Sequence, residues 1–196
     1  MIPVLLEGDG DVPIARRLLE SVGLEIGAVY GLNGKNRVNE RIDAYNEAAR
    51  FGKWLVLRDL NGDAPCAPQL LRYLLPNPSP GMCFRLAVRA AEAWLMADRP
   101  RMATFLSVPV TRVPTSPDQL RDPKTTLVNL ARHSRRKAIR TDMVPRQGLS
   151  SRVGPGYTGR IIEYASNHWR PKVAVGASPS LARALAAMES WAAADV

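Results

Sequence analysis

The chain has 196 residues, enough for one well-developed core with an appended subdomain. Its 46% hydrophobic and 23% charged residues are those of a soluble globular protein, and no apolar run approaches the length of a membrane span. The net charge is +9, and it is unevenly placed: residues 1–98 carry 11 Lys and Arg against 12 Asp and Glu, whereas residues 99–196 carry 16 against 6.

The first residues go straight into a strand pattern, 2–6, so no leader segment is expected. Val12, Ala15, Leu18, Leu19 and Val22 then recur at nearly helical spacing. Residues 24–30 read as a second strand. A loop from Gly31 to Asn36 leads into a helix from about Val38 to Arg50. A third strand is expected at 54–58, a helix from Pro65 to Leu75, a strand from Met82 to Val88 and a helix from Ala90 to Ala97. This alternation predicts an α/β fold: a mostly parallel four-stranded sheet flanked by helices, occupying residues 1–98.

Beyond Asp98 the strand signal fades. Prolines at 100, 109, 114, 117 and 123 separate short helical pieces. Asp122-Pro123 predicts a helix start, with Asp as N-cap and Pro in the first turn, running to about His133. Arg146 to Gly159 reads as loop, and Tyr157–Trp169 and Leu181–Trp191 as helices. Residues 99–196 thus form a basic helical C-terminal extension packed on the core.

Cys66 and Cys83 are the only cysteines. Their spacing makes neither a zinc motif nor a disulfide framework, and they read as small apolar filler in a reducing cytoplasm, with a disulfide between them left open. The basic second half points to a polyanionic partner, and its arginines match phosphate oxygens.

The chemistry is expected where strands end. Glu7 closes the first apolar run, Asp59 the third, and Glu92 follows the fourth. Ligands of an open parallel sheet sit beyond the carboxyl ends of its strands, so these acids would be adjacent in space. A carboxylate set without Cys or His suits a hard cation, Mg²⁺ or Mn²⁺. Glu7 is a metal-ligand candidate and a candidate general base. Asp11 joins it one helical turn on, or serves as a helix N-cap. Asp59, Asn61 and Asp63 alternate, which would put Asp59 and Asn61 toward one ion with Asp63 adding charge. An EF-hand calcium loop fails there, because the sixth position is Ala64 and the twelfth Leu70. Glu92, alone among apolar neighbours, needs either the metal or Arg89 one turn earlier.

The motifs Leu6-Glu7-Gly8 with Asp11, and Arg58-Asp59-Leu60-Asn61 after an apolar strand, resemble the Toprim superfamily, which has a Glu-Gly after the first strand and an Asp-x-Asp after the third. Asn61 departs from that pattern, which removes a negative charge. The segment from Arg85 to Asp98, with Glu92-Ala93-Trp94-Leu95, resembles small bacterial Toprim-like proteins, akin to the overcoming-lysogenization-defect nucleases and associated with ATPases in defence against phage. The resemblance implies a metal-dependent nuclease with Glu7, Asp59, Glu92 and Lys124 as catalytic residues, Lys124 lying near the scissile phosphate. It also implies DNA or RNA, tRNA included, as substrate and an ATPase as partner.

Lys35 is a candidate substrate contact, since Gly31-Leu-Asn-Gly-Lys35 lacks the spacing of a Walker loop. Arg132, Arg135, Arg136, Lys137 and Arg140 form the densest basic cluster and, with Arg89, Arg152 and Arg160, are candidates for gripping nucleic acid. Tyr157 is a candidate stacking ring. No tyrosine among 30, 45, 73, 157 and 164 has the context of a topoisomerase nucleophile. The competing readings are an effector subunit activated by its ATPase partner and a nucleic-acid-binding module with a vestigial metal site. Self-association into a homo-oligomer is left open.

Overall fold

The computed structural model describes residues 1–148 and 150–194. Leu149, inside the expected 146–159 loop, and the last two residues of the expected extension lie outside the described residues.

Among the described residues, four strands form one all-parallel sheet: β1 (Ile2–Leu6), β2 (Ile26–Gly31), β3 (Trp54–Asp59) and β4 (Met82–Ala87), in the order β2-β1-β3-β4. The registers Leu6↔Leu57 and Asp59↔Ala87 bring the ends of β1, β3 and β4 to one rim. The middle strands are apolar on both faces because helices cover both. Leu5, Val56 and Phe84 pack on α2 (Lys35–Ala48) and α3 (Ala67–Leu74), whereas Val4, Leu6 and Leu55 pack on α1 (Asp11–Ser21). Right-handed connections require this division: the chain steps from β1 to β2 in one direction, then crosses back to β3 and β4.

Gly31 closes β2 at φ +91°, where a Cβ would come within 2.3 Å of the Leu6 carbonyl oxygen. Only glycine fits there without a shift of the backbone. The following loop is stitched to the end of β1: the Leu32 amide donates to the Leu6 carbonyl and the Gly34 amide to the Glu7 carbonyl, each at 2.9 Å. The chain can then turn at Gly34, itself at φ +82°, so α2 starts three residues before the expected Val38.

The second half builds helices on the α1 face. α4 (Ala91–Ala97) is buried along its whole length. It is followed by α5 (Arg99–Leu106), α6 (Pro123–Arg132), α7 (Lys137–Met143), α8 (Tyr157–Asn167), α9 (Pro171–Ala174) and α10 (Pro179–Ala193). α8 packs on α1, and α10 along β4. Trp94 of α4 anchors this layer: its indole N–H donates to Ser180 Oγ at 2.7 Å, and its carbonyl accepts from the Trp169 indole at 3.1 Å. Asp98, fully buried, accepts from the Arg170 guanidinium at 2.8 and 2.9 Å.

Asp122 is the N-cap of α6, accepting from the Thr125 amide at 2.9 Å as its sequence context requires. α5, α7 and α9 have only four to eight residues each, too short to show a helical period in sequence. α8 begins at Tyr157, where the expected helix begins, and ends at Asn167, two residues short of the expected Trp169. Both cysteines are free. Cys83 is buried filler, but Cys66 is exposed, so the filler reading is corrected there. No helix among the described residues is long and apolar enough to cross a membrane.

Candidate functional site

The chain leaves β1 toward one edge of the sheet and continues from β3 toward the other, so the crevice beyond these two strands is the topological switch point. Glu7 follows β1 and Asp59 ends β3. The Asp59 amide donates to Glu7 Oε1 at 3.2 Å, which fixes the two acids on the same rim. Asp11 enters from the first turn of α1, its Oδ2 accepting from the Gly8 amide at 3.0 Å. Glu92, only 6% exposed, enters from α4, and Asp59 Oδ1 accepts from the Ala91 amide at the start of that helix at 2.8 Å. All four carboxylates line one cleft of about 590 Å³.

Their electrostatics follow from this crowding. Burial pushes Glu7 up to about 7, against the opposing effect of Arg58 and with a further push from Asp11. Burial also raises Asp11 to about 6, where the Gly8 amide opposes it and Glu92 adds to it. Asp59 is held well above the usual carboxylate range by burial and then by Glu92, Asp11 and Glu7. Buried, mutually repelling carboxylates of this kind favour either protons or a cation among them.

Two groups from the second half complete the cleft. Lys124 Nζ, in α6, lies 3.4 Å from Glu92 Oε1. Burial alone would lower its pKa, but Glu92, Asp59 and Asp11 outweigh that and hold the ammonium above its ordinary value. Tyr157, at the start of α8, donates its hydroxyl to Glu92 Oε1 at 3.0 Å. Burial and the Glu92 charge push the phenol far above its usual range, so it remains a donor. Its ring is buried rather than free to stack on a base, which corrects the sequence expectation.

The donor set fits a hard divalent cation: Glu7, Asp11, Asp59 and Glu92 offer only oxygen. Among the described residues, no three His, Cys, Asp or Glu side chains stand close enough to grip an ion as they are. The four acids nevertheless line one cleft, joined by the Asp59 amide bond to Glu7 and by the Ala91 amide bond to Asp59.

Asn61 and Asp63 do not join the cluster. β3 ends at Asp59 and the chain turns, Asn61 taking φ +51°, so strand alternation no longer applies. Asn61 is exposed and lines a neighbouring cleft with Asp59, Lys124, Arg89 and Arg152. Asp63 pairs with Lys35 at 2.6 Å and with Arg58. Burial would raise its carboxyl, but these two cations outweigh it and hold the pKa below the usual value. Lys35 is thereby engaged by Asp63, outside the acid cluster. Arg89 is exposed and is not the partner of Glu92, which has Lys124 and Tyr157 instead.

Arg132, Lys137 and Arg140 line a shallow groove of about 620 Å³ with Arg146. Arg135 is exposed beside it, while Arg136 reaches the Phe105 carbonyl at 3.5 Å and Arg140 the Ser134 carbonyl at 2.5 Å. Arg152 lines the acidic cleft and contacts Asp122 and Thr125 Oγ1. Arg160 is bound to Asp142 at 2.7 Å and Glu163 at 2.6 Å, an internal tie between α7 and α8.

Sequence reasoning passed over Arg58. This residue is 2% exposed, lies 3.4 Å from Glu7 Oε1 through Nε, and also pairs with Asp63. The signal was present: an arginine inside an apolar strand must find an acid. No protein-family model, no curated protein and no solved structure matches this chain.

Proposed function

We propose that the protein is a Toprim-like nuclease that hydrolyses phosphodiester bonds of DNA or RNA with Mg²⁺ or Mn²⁺. The observation that supports it best is the meeting of Glu7, Asp11, Asp59 and Glu92 with Lys124 in one cleft at the switch point of the sheet. The chemistry a bound divalent cation supplies is charge neutralisation at the phosphodiester and activation of water. Glu7, Asp11, Asp59 and Glu92 would hold it.

Hydrolysis joins a water oxygen to phosphorus and breaks one P–O ester bond. Glu7, at the open side of the cluster, is the candidate acceptor for the proton that water loses, and solvent protonates the leaving oxygen. Lys124 stabilises charge on the phosphoryl oxygens. Tyr157 holds Glu92 in place. Arg152 at the rim and the groove of Arg132, Lys137 and Arg140 position the backbone without reading bases. Defence against phage beside a partner ATPase is supported by the resemblance alone.

The test is cleavage of linear and supercoiled DNA, RNA and tRNA with and without each metal. Metal-dependent cutting that falls by about 10²-fold or more in Glu7→Gln and Asp59→Asn is expected. Cutting at the parental rate in Asp59→Asn removes the site assignment. Salt-sensitive binding with no cutting under any metal leaves only a binding module.

A further inference from the structure

Asp59 and Leu60 are consecutive residues that serve different cavities. Asp59 lines the acidic cleft, whereas Leu60 lines a separate cavity of about 420 Å³ between α3, β4 and α10. That volume is in the range of small-molecule sites. Its walls divide by chemistry. Pro65, Pro68, Leu71 and Leu86 form an apolar side, and Arg85, Arg89 and Arg183 face the same space.

These arginines lack acidic partners: among the described residues no carboxylate lies within 4.0 Å of any of the three. Arg85 Nε is shut off from solvent and has no hydrogen-bond partner. The one acid in the lining, Asp118, forms no ion pair with them and is held instead by Ser178 Oγ at 2.6 Å and the Ser180 amide at 2.7 Å. Three arginines without acidic partners facing a wall of prolines and leucines call for a ligand with an anionic head and a flat apolar body.

We propose that this cavity binds a nucleoside phosphate, with the phosphate on Arg85, Arg89 and Arg183 and the base against Pro65, Pro68, Leu71 and Leu86. The unit has two sources, a free nucleotide or one nucleotide of a bound strand. Arg89 lines both this cavity and the cleft that holds Asp59, Asn61 and Lys124, which gives a strand a direct path between them. The site itself needs no metal and does not rest on the nuclease reading.

Binding is measured by calorimetry on the full chain in EDTA, where the acidic cleft repels anions. The ligands are the four nucleoside monophosphates, a single-stranded tetranucleotide and inorganic phosphate. The variants are Arg85→Gln and Arg183→Gln, with thermal melting to confirm that each is folded, and Arg50→Gln, an exposed arginine outside every cleft described, as a control for loss of net charge. Loss of one charge-assisted contact should weaken binding about tenfold or more in both cavity variants and leave Arg50→Gln at the parental value. If mononucleotides show this loss, the source is the free nucleotide. If only the tetranucleotide binds and shows it, the source is the strand. Absence of binding, equal affinity in the parent and both cavity variants, or inorganic phosphate binding as tightly as the nucleotides would overturn the proposal.

Discussion

Tyr157 donates its hydroxyl to Glu92 across 65 residues of sequence, at 3.0 Å and out of contact with solvent. This bond ties the first turn of α8 to a carboxylate of the acidic cluster. Tyr157→Phe keeps the ring and removes the donor. It should cost about 1–3 kcal/mol of stability by urea unfolding, since a buried acceptor loses a partner. Metal-dependent cleavage should fall through kcat with little change in KM. An unchanged kcat would show that the hydroxyl does not position Glu92.

Lys124 competes for the same Glu92 oxygen, at 3.4 Å. Lys124→Met should lower single-turnover cleavage by about 10²–10³-fold if the ammonium serves the transition state. It also removes a cation from the cluster, so Mn²⁺ should bind more tightly, seen as a larger rise in melting temperature at equal metal concentration. The two readouts move in opposite directions, which a general loss of structure would not produce.

The pH dependence of stability reports on the same acids. Glu7 and Asp11 are raised in the folded protein to about 7 and about 6. Between their ordinary values and these, the folded chain binds more protons than the unfolded one, so stability falls as pH rises. In EDTA the melting temperature should therefore fall from about pH 5 to about pH 8. Asp63 and Asp122 are shifted the other way, and their contribution is lost only at more acidic pH, outside this window. Millimolar Mg²⁺ should restore most of the fall, and Glu7→Gln should reduce it. A metal-free melting temperature that rises over this range would contradict the crowding of the cluster.

The groove of Arg132, Lys137 and Arg140 should contribute affinity without selectivity. In Arg132→Gln/Lys137→Gln, nucleic-acid binding should weaken alike for unrelated sequences. The slope of log K against log salt should flatten by about two for duplex DNA, one for each lost phosphate contact. A slope equal to that of the parent would place the nucleic acid elsewhere.

The sheet was legible because each strand is a largely apolar run, three of the four ended by an acid or a glycine, and the crossover helices show their period. For the same reason Glu7 and Asp59 were readable as neighbours: a parallel sheet brings strand ends to one rim whatever lies between them. Asn61 and Asp63 were misplaced because side-chain alternation was carried past the point where β3 stops. Lys124 was found only through resemblance, since one lysine in the first turn of a helix has no local mark. Tyr157 acts on an element 65 residues away, and its partner Glu92 becomes visible only when α4 and α8 meet, whereas Arg58 takes Glu7 from the neighbouring strand end and Asp63 from the turn after its own strand. The bounds of α5, expected only as one of the short pieces between prolines, and the helices α7 and α9 were not readable, because a segment of one or two turns has no measurable period.

α4 has no solvent-facing side, and this limits how the protein can be divided. A truncation after Asp98 would keep the sheet and three of its acids undisturbed in sequence, yet strip the fourth, Glu92, of both groups that hold it and lay bare a helix whose other side chains are all apolar. Such a fragment should aggregate rather than persist as a smaller working unit.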